Sequence, residues 1–240
     1  MKITDSKPFL IRKMSRRDLN QVALMQSEMI PGSTVDKVLF SLTNELTNKS
    51  YLYLVICKGT SYKNHLYETE TYSGPKMLSK LLKVRLGLAF IQKFMWNISR
   101  LFDKNHASNE ILGFVGLWFG YNEVHINSIY VKDLIRRTGL GELLQIAAMN
   151  VAINSGSDRL TLEVRISNVA AQSLYQKYGL IQEGLRHKYY RDNNEDALIM
   201  TNSVIQTSQY ENYFKACIRQ YELRWETSLI GNRVSSLLDI

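Results

Sequence analysis

Residues 124–142 read V-H-I-N-S-I-Y-V-K-D-L-I-R-R-T-G-L-G-E, and how this stretch folds decides how the rest of the chain is assembled around it. Residues 124–131 have the β-branched, apolar character of a strand, and helix formers begin at Glu142. A basic turn with two closely spaced glycines lies between them. The first N–H groups of a helix lack intrahelical acceptors and carry the positive end of the macrodipole, so a strand, turn and helix in this order offer main-chain donors to an anion. Gly139 and Gly141 let that anion approach the backbone, while Arg136 and Arg137 add fixed charge. A phosphate group is the natural ligand, although on its own such a stretch is more often an ordinary glycine loop. It is not a dinucleotide fingerprint, because Leu144 stands where the third glycine would be. Nor is it a nucleotide-triphosphate loop, because no Gly-Lys-Ser/Thr follows.

Working outward, the pattern upstream predicts a strand over 9–14 and a helix capped by Ser15 that runs to Met29, with Leu19, Val22, Ala23, Met25 and Met29 at helical spacing. Pro31 and Gly32 end it. A second helix follows Thr34, with Val35, Val38, Leu39, Leu42 and Leu46 on one face, and then a strand over 51–57. A strand over 111–119 forms an antiparallel hairpin with 124–131 through the turn Gly120-Tyr121-Asn122-Glu123. Downstream come a helix over 139–154, a strand over 160–165, and a helix over 169–178 capped by Ser167 or Asn168 and stopped by Gly179. Strands over 180–188 and 197–204 flank the polar turn R-D-N-N-E-D. The order predicts an α+β fold, a mixed and largely antiparallel sheet with helices on its faces.

Two pieces fall outside this frame. Residues 59–109 are too many for a hairpin loop and carry eight Lys/Arg against three Asp/Glu. Their second half places Ile91, Phe94, Met95, Ile98, Leu101 and Phe102 at helical spacing, a basic amphipathic helix that suits either the domain's own surface or a ribosome or membrane surface. The other piece is the tail, 206–240, where Tyr210, Tyr213, Phe214, Cys217, Ile218 and Tyr221 share a helical face. Such a face is core or docking surface rather than a ligand box.

The composition, 45% hydrophobic and 22% charged, excludes a disordered chain, and 240 residues suffice for one substantial core. A net charge of +8 favours polyanionic surroundings, yet no aromatic-basic motif points to sequence-specific nucleic-acid binding. Cys57 and Cys217 each fall in an apolar run, so buried free thiols are expected. The four histidines show no metal-ligand spacing, and no metal is expected. Without an apolar leader or an 18-residue apolar run, the expected location is the cytoplasm, or the plastid stroma for a plastid-encoded chain.

The resemblance that connects these readings starts with R-x-x-G-x-G at residues 136–141, which is similar to the pyrophosphate-binding signature of the GNAT family of N-acetyltransferases. It sharpens over L-E-V-R-x-S-N-x-A-A at 162–171, S-L-Y-Q-K-Y-G-L at 173–180, H-K-Y-Y at 187–190 and E-D-A-L-I-M at 195–200. These motifs resemble the RimI-type ribosomal-protein alanine N-acetyltransferases, strongly over 115–200 and loosely over 9–57. The resemblance implies the family's fold, and acetyl-CoA as acetyl donor. It implies that Ile129, Tyr130 and Val131 present backbone to the pantetheine arm, that Arg136, Arg137, Thr138, Gly139, Leu140 and Gly141 surround the pyrophosphate, and that Asn168 contacts the cofactor. It assigns Glu163 as general base, Tyr175 as general acid, and Tyr189 and Tyr190 to the acceptor peptide. Two departures stand out: Arg191 replaces the proline that follows the paired tyrosines, and Asp133 replaces a proline after Val131-Lys132.

The chemistry suits these residue types. An amine attacks a thioester only when unprotonated, and at pH 7 that costs about 1 kcal/mol for an N-terminal amine but about 4–5 kcal/mol for a lysine. A modest base such as Glu163 therefore suffices for an N-terminus, especially if partial burial raises its pKa. Read without the resemblance, Glu163 is a strand glutamate paired with Arg165 or Lys188, and Tyr175 a core tyrosine. The expected reaction is direct acetyl transfer to the N-terminal alanine of a small-subunit ribosomal protein. The alternatives are a lysine or small-amine acetyltransferase of the same fold, and a non-catalytic module that binds acetyl-CoA or the ribosome.

Overall fold

The computed structural model describes residues 9–58 and 110–225. The basic segment 59–109 and its expected amphipathic helix lie outside the described residues. Strand β1 (Phe9–Lys13), helices α1 (Leu19–Met29) and α2 (Val35–Thr47) and strands β2 (Tyr51–Lys58), β3 (Ile111–Phe119) and β4 (Glu123–Val131) come first. Helix α3 (Leu140–Asn154), strand β5 (Arg159–Arg165), helix α4 (Val169–Lys177), strands β6 (Ile181–Tyr190) and β7 (Glu195–Asn202) and helix α5 (Ser208–Trp225) complete the described chain. The expected order of elements is the observed one. A short 3-10 turn, Arg16–Asp18, precedes α1, because the Asp18 carboxylate turns back to accept from Ser15 N at 2.7 Å and Ser15 Oγ at 2.9 Å. Arg12 completes that corner with a two-pronged contact to Asp18 at 2.6 and 2.7 Å.

The strands form one seven-stranded sheet in the order β1-β2-β3-β4-β5-β7-β6. Every neighbouring pair is antiparallel except β4 and β5, which are parallel. Apolar residues fill both faces of the middle strands, so β3 reads I-L-G-F-V-G-L without the alternation of a half-exposed strand. One face packs against α1 and α2 through Val22, Met25, Leu42, Tyr53 and Phe114. The other carries α3, whose Leu140, Leu144, Ala148 and Ala152 share a cluster with Ile126, Leu160 and Leu162. Helix α5 belongs to that same cluster through Tyr210, Phe214, Cys217, Ile218 and Tyr221, whereas Tyr213 stays exposed and donates its hydroxyl to Lys177 O. Both cysteines are buried, with Cys57 Sγ 3.6 Å from Leu10 O and Cys217 Sγ 3.6 Å from Lys177 O. Among the described residues no helix is long and apolar enough to cross a membrane.

One irregularity shapes the site. Gly116 pairs with Ser128 and Leu117 with Ile126, which leaves Asn127 as an extra residue in β4. Such a bulge bends its strand and increases the local twist. The parallel ladder between β4 and β5 ends at that point, with Ile126 opposite Leu162. Beyond it β4 continues with β3 alone as far as Val131, and β5 with β7 alone as far as Arg165. The two middle strands therefore part into a wedge that opens toward the turn after β4.

Candidate active site

The wedge is the floor of a cleft of about 800 Å³ whose lining runs from Ile129, Tyr130 and Val131 on β4, past Arg136, Arg137, Gly139 and Gly141, to Asn168 and Tyr175 on α4. All nine were expected to be site residues. At the turn, Asp133–Ile135 form one turn of 3-10 helix; Arg137 (φ 65°) and Gly139 (φ 84°) then take left-handed backbone, which reverses the chain into α3. The first helical bond is Leu143 N to Gly139 O, 2.9 Å. Among the described residues the N–H groups of Gly139, Leu140, Gly141 and Glu142 have no main-chain acceptor. They are the donors an oxyanion would meet. Arg136 is partly committed, paired with Asp133 at 2.6 Å and donating to Val131 O at 3.3 Å.

Asn168 caps α4, its Oδ1 accepting from Ala171 N at 3.2 Å, so the amide NH2 is the group it offers the cleft. Tyr175 lines the cleft yet is only 5% exposed. Burial, helped by the nearby Tyr190 phenol, pushes its pKa well above the ordinary value, so it stays a proton donor through the neutral range. Tyr130 is pushed up to about 12, by burial first and then by Glu28, whose carboxylate accepts its hydroxyl at 2.7 Å. Glu28 and Met29, at the end of α1, line the cleft from the side of the sheet opposite α3.

The remaining expected residues sit differently. Thr138 donates to Ile135 O at 2.6 Å and Leu140 is core, so among residues 136–141 these two do not line the cleft. Nor do Glu163, Tyr189 and Tyr190. Glu163 pairs with neither Arg165 nor Lys188. Its carboxylate, 7% exposed, lies 2.7 Å from His125 Nε2 and 3.0 Å from Arg186 Nε. Burial would raise its pKa, but the hydrogen bond and charge of His125 with the charge of Arg186 outweigh that, and the carboxyl is held below its usual value. The upward shift that burial alone would give is thus reversed, and at neutral pH the group is an ionised carboxylate.

Tyr189 and Tyr190 lie at the end of β6 instead of in a loop. Lys188 takes left-handed backbone (φ 51°) and breaks the β6–β7 register between Arg186 and Tyr190, which re-aims both rings. The rings meet edge to face at 5.2 Å, and the Arg165 guanidinium covers Tyr190 at 3.8 Å. Arg165, which lines the cleft, is held by Asp192 at 2.9 Å and Glu195 at 3.1 Å, so the tight 191–194 turn braces it. His125 and Arg186 were not anticipated. Nothing in local spacing marks them, because they reach Glu163 only through the pairing of four strands.

A sequence model of the family described as Acetyltransferase (GNAT) matches residues 87–180. A Bacillus subtilis (strain 168) protein provisionally named a ribosomal protein bS18-alanine N-acetyltransferase is 42% identical over 137 residues, 57% of this chain and 86% of that protein. The chain belongs to the GNAT family of acetyltransferases. It is therefore an N-acetyltransferase, of a family whose acetyl donor is acetyl-CoA. The Escherichia coli (strain K12) ribosomal protein bS18-alanine N-acetyltransferase is 37% identical over 81 residues, 33% of this chain and 55% of that protein. The solved structure of the Escherichia coli ribosomal-protein-S18-alanine N-acetyltransferase superposes with a TM-score of 0.52 at 20% identity, covering 82% of this chain and 94% of that one. The GNAT fold, a mixed and mostly antiparallel sheet flanked by helices, is the one predicted.

Proposed function

We propose that this acetyltransferase moves acetyl from acetyl-CoA to the N-terminal alanine of a small-subunit ribosomal protein by direct attack of the amine on the thioester. The observation that carries the reading is the wedge between β4 and β5, with helix N–H groups at its mouth that have no main-chain acceptor among the described residues, and Tyr175 in its wall. The names of the Bacillus and Escherichia relatives support the acceptor. In this reading residues 1–205 form the catalytic domain, with 59–109 inserted and 206–240 appended.

The fit to acetyl-CoA rests on the donor set. Main-chain N–H groups from Gly139 to Glu142, with Arg137 beside them, hold the diphosphate. The edge of β4 at Ile129, Tyr130 and Val131, no longer paired to β5, offers extended backbone to the amides of the pantetheine arm. Asn168 donates its amide N–H at the α4 cap. The bound donor supplies an activated acetyl group.

The ammonium proton of the acceptor passes to Glu163, which is ionised and needs only a modest basicity, since an α-amine has a pKa of about 7.8. Its carboxylate does not line the cleft, so a water carries the proton. As the N–C bond forms and the C–S bond breaks, the Tyr175 hydroxyl gives its proton to the leaving sulfur, and the proton that the nitrogen sheds on becoming an amide restores the phenol. Tyr189 and Tyr190 flank the acceptor peptide, with Arg165 bracing Tyr190.

The test is incubation of the full chain with acetyl-CoA and two peptides. One has a free ribosomal alanine N-terminus; the other has the same sequence with a blocked N-terminus and an internal lysine. Fragmentation mass spectrometry should place acetyl on the α-amine of the first only. Modification confined to lysine would reject the acceptor assignment.

A further inference from the structure

Helix α5 reaches the cleft at one end. Tyr221 Oη lies 3.3 Å from Gly139 O, beneath the turn that opens α3, and one turn further on Arg224 lines the cleft next to Lys177, the last residue of α4. Between the two cations is Glu142, in the first turn of α3. Its side chain is 9% exposed; it accepts from the Tyr178 hydroxyl at 2.9 Å, pairs closely with Lys177, and lies 3.6 Å from Arg224 Nη1.

A buried carboxylate is unfavourable unless it is paired, and here two cations share one anion, so the rim keeps net positive charge. The Arg224 contact is an ion pair too long for a hydrogen bond. Its planar fork of donors remains available to another oxyanion, for which guanidinium geometry is well suited. Glu142 pins two long side chains that would otherwise lose rotamer freedom on binding a ligand. The cleft therefore has two separate places for negative charge: the loop from Arg136 to Glu142, and a rim built from the ends of α4 and α5.

We propose that Lys177 and Arg224 form a second phosphate subsite, which takes the ribose 3′-phosphate of coenzyme A. The inference rests on the acetyl-CoA reading above. Coenzyme A carries its diphosphate and, one sugar further along, a phosphomonoester, so a cleft that takes the first at the glycine turn needs cations beyond that turn for the second. Helix α5, which begins after residue 205, is by this account part of cofactor recognition as well as of the core.

The test is calorimetric titration of the full chain with coenzyme A and with 3′-dephospho-coenzyme A. The unaltered protein should bind coenzyme A about tenfold more tightly, one charge-assisted contact's worth. Arg224→Gln should remove most of that preference by weakening coenzyme A alone, while Arg224→Lys restores part of it. Circular dichroism of each variant checks the fold, and Arg224 is exposed enough that both substitutions should be tolerated. Equal affinity of the unaltered protein for the two ligands, or an equal loss for both in Arg224→Gln, overturns the subsite and leaves the acetyl-CoA reading standing. Failure of the unaltered protein to bind either ligand overturns both.

Discussion

Glu163→Gln tests the chemistry most directly, because the substitution keeps the shape of the side chain and removes only its charge. The exposed Arg186 guanidinium can turn to solvent, so the fold and coenzyme A affinity should survive. What is lost is the acceptor for the ammonium proton. At pH 7 an α-amine of pKa about 7.8 is about one part in seven unprotonated, a cost of about 1 kcal/mol, which grows to about 2.5 kcal/mol at pH 6 and vanishes above pH 9. A positioned base contributes about 10²- to 10⁴-fold, and with so small a cost to offset, the lower end applies.

The variant should be slower in kcat by about 10²-fold at pH 6.5, with the deficit shrinking to within about tenfold at pH 9, where the substrate arrives as the free amine. His125 and Arg186 hold the Glu163 pKa below its usual value, so the carboxylate is ionised over this whole range. The acid limb of the unaltered enzyme should accordingly follow the acceptor amine and move when the acceptor's pKa is changed. Stopped assays of peptide acetylation across pH, at saturating acetyl-CoA, give both profiles. A deficit that is the same at pH 6.5 and pH 9, or absent at both, would refute the assignment of Glu163 as the proton acceptor.

Tyr175→Phe removes one hydroxyl from a residue that otherwise belongs to the core, so it should lower kcat by about 10²-fold with little change in KM. The unaltered enzyme should show no alkaline limb from this phenol up to pH 10, because burial raises its pKa. Gly141→Ala adds a methyl whose nearest neighbour is Val131 Cγ2 at 3.9 Å, so thermal melts should show a gain of about 0.5–1 kcal/mol while the KM for acetyl-CoA rises about tenfold. Asp18→Asn leaves Arg12 buried without its anion and should cost about 3–5 kcal/mol in denaturant unfolding. The Asp18 pKa is lowered in the fold: burial opposes ionisation, but the Arg12 and Ser15 hydrogen bonds outweigh it. Its stabilisation is therefore complete above about pH 4 and lost as pH falls through the lower folded value, a loss that melting curves of the Asn variant should not show.

Local pattern carried most of the fold. Many helices and strands of the described chain are bounded by features visible in the sequence: Thr34 and Asn168 as caps, Gly139 and Gly179 at left-handed backbone, Gly120 to Glu123 as a hairpin turn. Boundaries slipped at the β6–β7 turn, where the strands were expected to end at 188 and begin at 197 but reach Tyr190 and start at Glu195, because the polar run between them reads as a loop. β6 is an edge strand exposed on both faces, so it lacks the apolar alternation that marks a strand. Local pattern alone showed one wall of the cleft, whereas Asn168 and Tyr175 on the other wall came from the resemblance. R-R-T-G-L-G is contiguous and its donors are main-chain, so its geometry follows from the turn itself.

The setting of Glu163 was illegible because it is made by register. Arg186 lies on β6 and Glu163 on β5, with β7 between them. Ala197 of β7 pairs with Arg186 on one side and with Arg165 on the other, which puts Arg186 on the same face of the sheet as Arg165 and Glu163, with its guanidinium 3.0 Å from the carboxylate. His125 arrives from the other side, in the last stretch of β4 that still pairs with β5 before the bulge at Asn127. The same bulge therefore has two effects: the strands stay together long enough to bring His125 to Glu163, and one residue later they part to open the cleft. Deleting Asn127 should restore continuous register with Ser128 still opposite Gly116, keep every later side chain on its present face, and straighten β4 so that it runs on beside β5. Tyr130 would stay with Glu28, and Ile129 and Val131 with the core cluster they pack against, so the fold should survive while the cleft narrows and coenzyme A affinity falls. A deletion variant that melts like the parent and keeps its coenzyme A affinity would show that the wedge does not depend on the bulge.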